Sequence, residues 1–278
     1  MTLRIATLCD NTAERGGFLG EWGLSILVET EDAKILLDTG NGSSLIHNAG
    51  LLDIDLGKID KIVLSHGHFD HTGGLRDLLR RMNKNIQVIA HPDIWQAKFA
   101  RRQGEKERYI GIPYQREELE RLGADFLLSS RPVNVAENVM TTGEVPMNTG
   151  FEEIDAGLYV KEGLTWKPDA IMDDQALIVK TTRGLVIILG CAHRGIINTL
   201  YHAQQITGET DIHMVLGGSH LMNASKERLR KTIDALKDLR VQKMGLCHCT
   251  EMYAISVLAQ EFNEKFFFNK AGTIVNIS

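Results

Sequence analysis

Short apolar runs alternate with helix-period patterns along almost the whole chain. β-branched and leucine-rich runs predict strands at 3–8, 24–29, 34–38, 61–64, 86–90 and 126–128. A second series predicts strands at 176–180, 185–189, 212–216, 243–246 and 266–268. Between them, the spacing of apolar positions predicts helices over 43–49, 74–82, 93–102, 117–122, 196–206, 226–239 and 252–262. The helix at 226 carries the clearest signals: Ser225 can cap its N-terminus, and Leu229, Ile233 and Leu236 form one apolar stripe. Strand and helix alternate in both halves, which predicts an α/β layered fold. The rhythm breaks between about 100 and 170, where charge and turn signals dominate, and this stretch is expected to be an insertion or lid. No Pro/Ser-rich linker interrupts the chain, so residues 1–278 are expected to form one domain.

Composition narrows the class. The chain has 278 residues, 31 Lys+Arg against 36 Asp+Glu, a formal net charge of −5, and 43% hydrophobic residues. That supports a substantial buried core and argues against nucleic-acid binding. The longest apolar stretch, around Leu185–Leu189, is too short to span a bilayer. The N-terminus has no apolar signal core and meets Asp10 early, so a cytoplasmic protein with no membrane partner is expected. In a reducing compartment Cys9, Cys191, Cys247 and Cys249 are expected as free thiols.

The ten histidines are unevenly placed. His66, His68 and His71 crowd a six-residue loop with Asp70, directly after an apolar strand and ahead of Thr72-Gly73-Gly74. Crowded imidazoles and a carboxylate suit zinc or another first-row metal. In an extended turn His66 and His68 face one way. Asp70 and His71 can then face a second point nearby, as a two-metal site requires. His193, His220 and His248 each follow an apolar strand in the second half. His47, His202 and His213 read as ordinary surface or core residues, and His91 before Pro92 reads as either a polar strand end or a pocket rim. Cys247 and Cys249 read as small strand-end residues, and Arg101–Arg108 as a solvated helix end or a phosphate-gripping lid.

The run His66–His71, after a strand and before Thr72-Gly73-Gly74, resembles the signature of the metallo-β-lactamase fold superfamily. Leu36–Gly40, Ile188–His193 and Gly245–Thr250 resemble its buried-Asp motif and its later His-bearing strand ends, in order and over nearly the whole chain. Cys9–Asn11, Glu21–Ser25, Asp173–Leu177, Gly190–Asn198 and Gly217–Leu221 are similar to the subgroup named for a dihydropterin ribofuranosyl-aminobenzene phosphate synthase. Most members of that subgroup are uncharacterised metal-dependent hydrolases.

The resemblance implies a four-layer αββα sandwich with two mixed sheets. It implies two divalent ions, zinc in the first place and manganese or iron as alternatives, one held by His66, His68 and His193 and the other by Asp70, His71 and His248. Asp38 would accept the free N–H of a ligand histidine, or simply form the turn. The superfamily places a bridging Asp after a Gly at a strand end. This chain reads Gly190-Cys191 there, which leaves Cys191, Asp173 or Asp174 for that position. His220 could replace His193 or touch substrate, and it joins Asp70 as a candidate catalytic residue. The subgroup often has His where Trp22 stands and Gly where Glu251 stands, positions expected to bear on substrate contacts.

The reaction implied is hydrolysis. Two ions sharing a water lower its pKa, and the hydroxide attacks a phosphoester or other ester of a small, phosphorylated metabolite. Alternatives are a metal-dependent synthase acting on a phosphoribosyl substrate, a redox di-iron protein, and a metal-stabilised binding module. The di-iron class usually needs a carboxylate where His68 stands. The oligomeric state is left open.

Overall fold

The structure, a computed structural model, describes residues 2–101, 104 and 106–278. Strand Gly184–Leu189 shows how the layers arise. Leu185, Ile187 and Leu189 face a cluster that includes Ile197, Leu200, Leu229, Ile233 and Leu258 from three helices, Ile196–Thr207, Lys226–Asp238 and Glu251–Phe262. Val186 and Ile188, on the opposite face, pack against Ile26, Val28, Leu37 and Val63 of the other sheet. In that sheet, Leu36 and Ile62 face helices Ser44–Leu51 and Leu75–Met82 through Leu45, Leu75, Leu78 and Leu79. Three apolar clusters separate four layers, helix, sheet, sheet and helix, as expected of the αββα sandwich. Both faces of the central strands are covered, which is why they read as continuous apolar runs.

Both sheets are mixed. The first has the order Ile274–Ile277, Leu3–Cys9, Ser25–Glu29, Lys34–Leu37, Lys61–Val63, Ile86–Ala90, Ala124–Leu128, and is parallel from Lys34–Leu37 onward. The second runs Lys243–Cys247, Ile212–Gly218, Gly184–Leu189, Ala176–Thr181, Val139–Thr141, Asn134–Ala136, with its first three strands parallel. Asp38, His66, Cys191, His193, His220 and His248 all follow the C-terminal ends of parallel strands, where open α/β sheets place their sites.

The helix over 226 forms as Lys226–Asp238, and Ser225 Oγ accepts the Arg228 N–H at 3.1 Å as its cap. The helix expected at 93–102 does not form. A short 3₁₀ turn covers Pro92–Trp95 and a strand covers Lys98–Ala100, while Arg102 lies outside the described residues. The cause is tertiary: Lys98 is fully buried between Asp169 and Asp173, which fixes its backbone in a strand regardless of local propensity. The strand expected at 266–268 is reduced to an isolated bridge from Phe266 to Met244.

The segment expected as an insertion at 100–170 is divided. Ala124–Leu128 closes the edge of the first sheet, and Asn134–Ala136 with Val139–Thr141 closes the edge of the second. Arg108–Tyr109, Leu158–Glu162 and Thr165–Pro168 join Lys98–Ala100 in a small separate sheet. That sheet abuts the histidine loop, for Ile110 C=O accepts the Phe69 N–H at 2.9 Å. Among the described residues no helix is long and apolar enough to cross a membrane.

Ile188, fully buried between the sheets, should cost about 2–5 kcal/mol when changed to Ala. Leu164→Ala, at a position 95% exposed, should stay within about 0.5 kcal/mol of wild type in the same urea unfolding experiment.

Candidate metal centre

The histidine loop leaves strand Lys61–Val63 and enters a single helical turn, Phe69–Thr72. His66 and His68 precede the turn, His68 in extended backbone, and Asp70 and His71 lie within it. Gly67 between the two histidines is forced by packing, since a Cβ there would lie 2.5 Å from Ile94 O. Its N–H donates to Asp173 Oδ2 at 2.8 Å, and Asp173 Oδ1 receives Lys98 Nζ at 2.8 Å.

Asp38, fully buried with φ of 59°, organises the loop from the neighbouring strand end. Its Oδ1 accepts the Ser65 N–H at 2.7 Å, and its Oδ2 accepts Ser65 Oγ at 2.7 Å and the His71 Nδ1–H at 2.7 Å. Ser65 Oγ, having given its proton to Asp38, accepts the His66 Nδ1–H at 2.9 Å. Asn11 Oδ1 accepts the His248 Nδ1–H at 2.9 Å. In all three rings the proton sits on Nδ1, so Nε2 presents a lone pair.

Those lone pairs converge in two groups. His66 Nε2 lies 2.9 Å from His68 Nδ1 and 3.2 Å from His193 Nε2. His71 Nε2 lies 3.2 Å from His248 Nε2, and Asp70 Oδ2 lies 3.4 Å from the latter. With its protons on Nδ1, the second group is three facing acceptors, an arrangement that a shared cation relieves. Ligands at about 2.1 Å around a tetrahedral ion stand about 3.4 Å apart, close to these separations. The donor sets therefore fit a metal ion in each group.

The electrostatics agree. Burial drives His68 down to about 3 and pushes His66 and His193 well below their ordinary range, so the first group is neutral nitrogen. Burial also opposes charge on His71, but Asp38 and Asp70 outweigh it and raise its pKa to about 9. Burial likewise disfavours ionised Asp70, yet His71 and His248 hold it well below the usual carboxylate range. The same pairing that favours a positive charge on His71 and a negative one on Asp70 favours a cation between them.

Of the three residues the sequence left open between the groups, Cys191 lies nearest both. Its Sγ is 3.1 Å from His71 Nε2 and within 4.8 Å of the ligand atoms of His66, His193 and His248. Asp173 is occupied by Gly67 and Lys98, and Asp174 Oδ2 accepts the Arg194 N–H at 2.9 Å. Burial raises Asp174 to about 7, and its Oδ1 has no partner. Asp174 joins neither group. The His220 ring lies 4.1 Å from that of His193, tilted by 47°, with neither nitrogen hydrogen-bonded; one of them lies within 4.8 Å of the ligand atoms of His193 and Cys191, and the residue lines a cavity with Arg228 and Asp155.

The remaining histidines are engaged elsewhere. His91 is bonded to Glu144 Oε1 and the Asp93 N–H, and His47, His202 and His213 each have a hydrogen-bond partner. Sequence reasoning assigned no role to Ser65, Asn11 or Lys98. Asn11 lies in the Cys9–Asn11 motif and Ser65 directly precedes the first histidine, but nothing local marks Lys98.

The two raised and lowered histidines fix a pH dependence for the metal-free protein. The stabilisation from His71 is complete below its ordinary 6.5 and is lost as pH rises to about 9. That from His68 is complete above 6.5 and is lost as pH falls toward 3. Denaturation in the presence of chelator should show stability falling from pH 6.5 to 9 in wild type, with a shallower fall in Asp38→Asn. Equal slopes would contradict the Asp38–His71 pairing.

Comparison with known proteins places the chain in a family. The family model described as Metallo-beta-lactamase superfamily matches residues 23–196. The chain is 35% identical, over 98% of its length and 96% of the relative's, to the 7,8-dihydropterin-6-methyl-4-(β-D-ribofuranosyl)-aminobenzene-5'-phosphate synthase of Methanocaldococcus jannaschii. An uncharacterized protein of the same organism is 34% identical over 98% of this chain and 100% of its own. The crystal structure of Tm1679, described as a metal-dependent hydrolase of the β-lactamase superfamily, superposes with a TM-score of 0.86 at 31% identity and 99% coverage of both chains. The chain belongs to the metallo-β-lactamase superfamily of metal-dependent enzymes.

Proposed function

We propose that this protein is a hydrolase that uses two divalent ions, zinc in the first place, to cleave a phosphoester or other ester of a small, phosphorylated metabolite. The observation that carries the reading is the pair of adjoining acceptor groups, His66, His68 and His193 beside Asp70, His71 and His248, with Cys191 between them. Ions held there would supply Lewis-acid polarisation of the ester and a water of lowered pKa. The chain's own residues do the positioning. Asp38 and Ser65 fix the tautomers of His71 and His66, and Asn11 fixes that of His248. Asp70, held ionised, can accept a hydrogen bond from the attacking water and so orient it. His220, unpartnered beside His193, is placed to contact substrate or to supply a further nitrogen.

The hydrolytic description of Tm1679 supports this reading, and the phosphate in the name of the Methanocaldococcus jannaschii synthase supports a phosphorylated substrate. That relative also favours a second reading, a synthase acting on a phosphoribosyl compound, because the similarity extends over 98% of this chain.

Metal analysis with a panel of phosphoesters, thioesters and lactones separates the two, alongside a condensation assay with a phosphoribosyl donor and an aminobenzoate acceptor. Ester turnover with about two ions per chain is expected. A condensation product without ester turnover would favour the synthase. His68→Ala should lose one ion and turnover while keeping its circular dichroism. Unfolding instead would favour a metal-stabilised binding module. Asp38→Asn should lower metal affinity or activity about 10- to 100-fold, as losing the partner of a ligand histidine does.

A further inference from the structure

A second cavity, which His220 does not line, opens beside the second acceptor group. Its volume is about 340 Å³, enough for one ring system, and His248 forms part of its wall. Trp22, Met252, Ile255 and Phe268 supply its apolar lining, and Glu251 and Lys270 its charged lining, with Lys270 Nζ 5.8 Å from the centre of the Phe268 ring. The Trp22 ring stands 5.3 Å from the His248 ring. Large apolar side chains are rarely left in water in such a group, yet Trp22 is 40% exposed, Phe268 55% and Met252 70%. Asp10 and Asn11 in its lining are committed to His248: Asp10 accepts the His248 N–H, and Asn11 accepts its Nδ1–H.

Glu251 supplies an independent observation. Its backbone sits at φ 64°, ψ 157°, a region that glycine occupies freely and a residue with a Cβ occupies at a cost. Its carboxylate forms no ion pair among the described residues, and its hydrogen bond there is the weak one from the adjacent Met252 N–H at 3.4 Å. Strain kept at a cavity edge, with a free acceptor at its end, is a feature of binding sites.

We propose that this cavity receives a planar aromatic group of the substrate. Trp22 and Phe268 take its faces, and Glu251 accepts an N–H from its rim, while the attached phosphoryl group lies at His248 and the acceptor groups. The occupant is the non-reacting end of the substrate, because the cavity shares His248 with the site. The proposal rests on the metal-site reading but not on turnover.

The test uses phosphonates, whose C–P bond resists hydrolysis. Metal-loaded protein is titrated calorimetrically with phenylphosphonate, 4-aminophenylphosphonate and cyclohexylphosphonate. Phenylphosphonate should bind about five- to tenfold tighter than the cyclohexyl compound. Trp22→Ala and Phe268→Ala should each abolish that preference. The 4-amino group should add about fivefold or more in wild type and nothing in Glu251→Gly. Glu251→Gly should also raise the thermal midpoint, since the glycine relieves the backbone. Equal binding of the phenyl and cyclohexyl compounds would overturn the proposal. So would a wild-type dimer that Phe268→Ala converts to monomer. Aromatic preference without turnover of any ester would leave this pocket standing and remove the hydrolase reading. Turnover without aromatic preference would do the reverse.

Discussion

The Asp38 carboxylate is the constraint on which the rest of the site depends. It is wholly buried and accepts three hydrogen bonds, two from Ser65 and one from His71. A buried carboxylate is tolerated only with partners of this kind. Through His71 it reaches one acceptor group directly, and through Ser65 and His66 it reaches the other. A single side chain at the end of one strand thus sets ring orientation on both sides of the centre.

The two groups also straddle the seam between the layers. Each takes two members from the histidine loop of the first sheet and one from a strand end of the second, His193 or His248. Ions held there would stabilise the docked sheets by mass action. Near this seam the backbone is repeatedly forced into the left-handed region, at Asp38, Ala192, His220, His248 and Glu251. Such conformations persist where the surrounding structure over-determines them, and they gather at functional sites.

Much of this was legible in the sequence. The loop from His66 to His71 announces itself because local spacing alone crowds its ligands. His193 and His248 could be placed because each follows an apolar strand whose burial on both faces leaves a clear signal. The layers were legible for the same reason. What was not legible depends on distant partners. Lys98 reads as a helix residue until Asp169 and Asp173, 71 and 75 positions away, bury it. Strands such as Arg108–Tyr109 and Asn134–Ala136 are two or three residues long and exist only by pairing. The shared position between the groups was ambiguous for a similar reason, since Cys191, Asp173 and Asp174 differ in the partners the fold gives them, not in local pattern.

The central claim is that two ions sit side by side, each in its own triad. Anomalous diffraction from crystals of the metal-loaded protein tests it most directly. The account predicts two peaks, one bonded to His66, His68 and His193 and one to Asp70, His71 and His248, with metal–nitrogen distances of about 2.1 Å. A single peak, or an ion held by Asp174 in place of one of these triads, would contradict it.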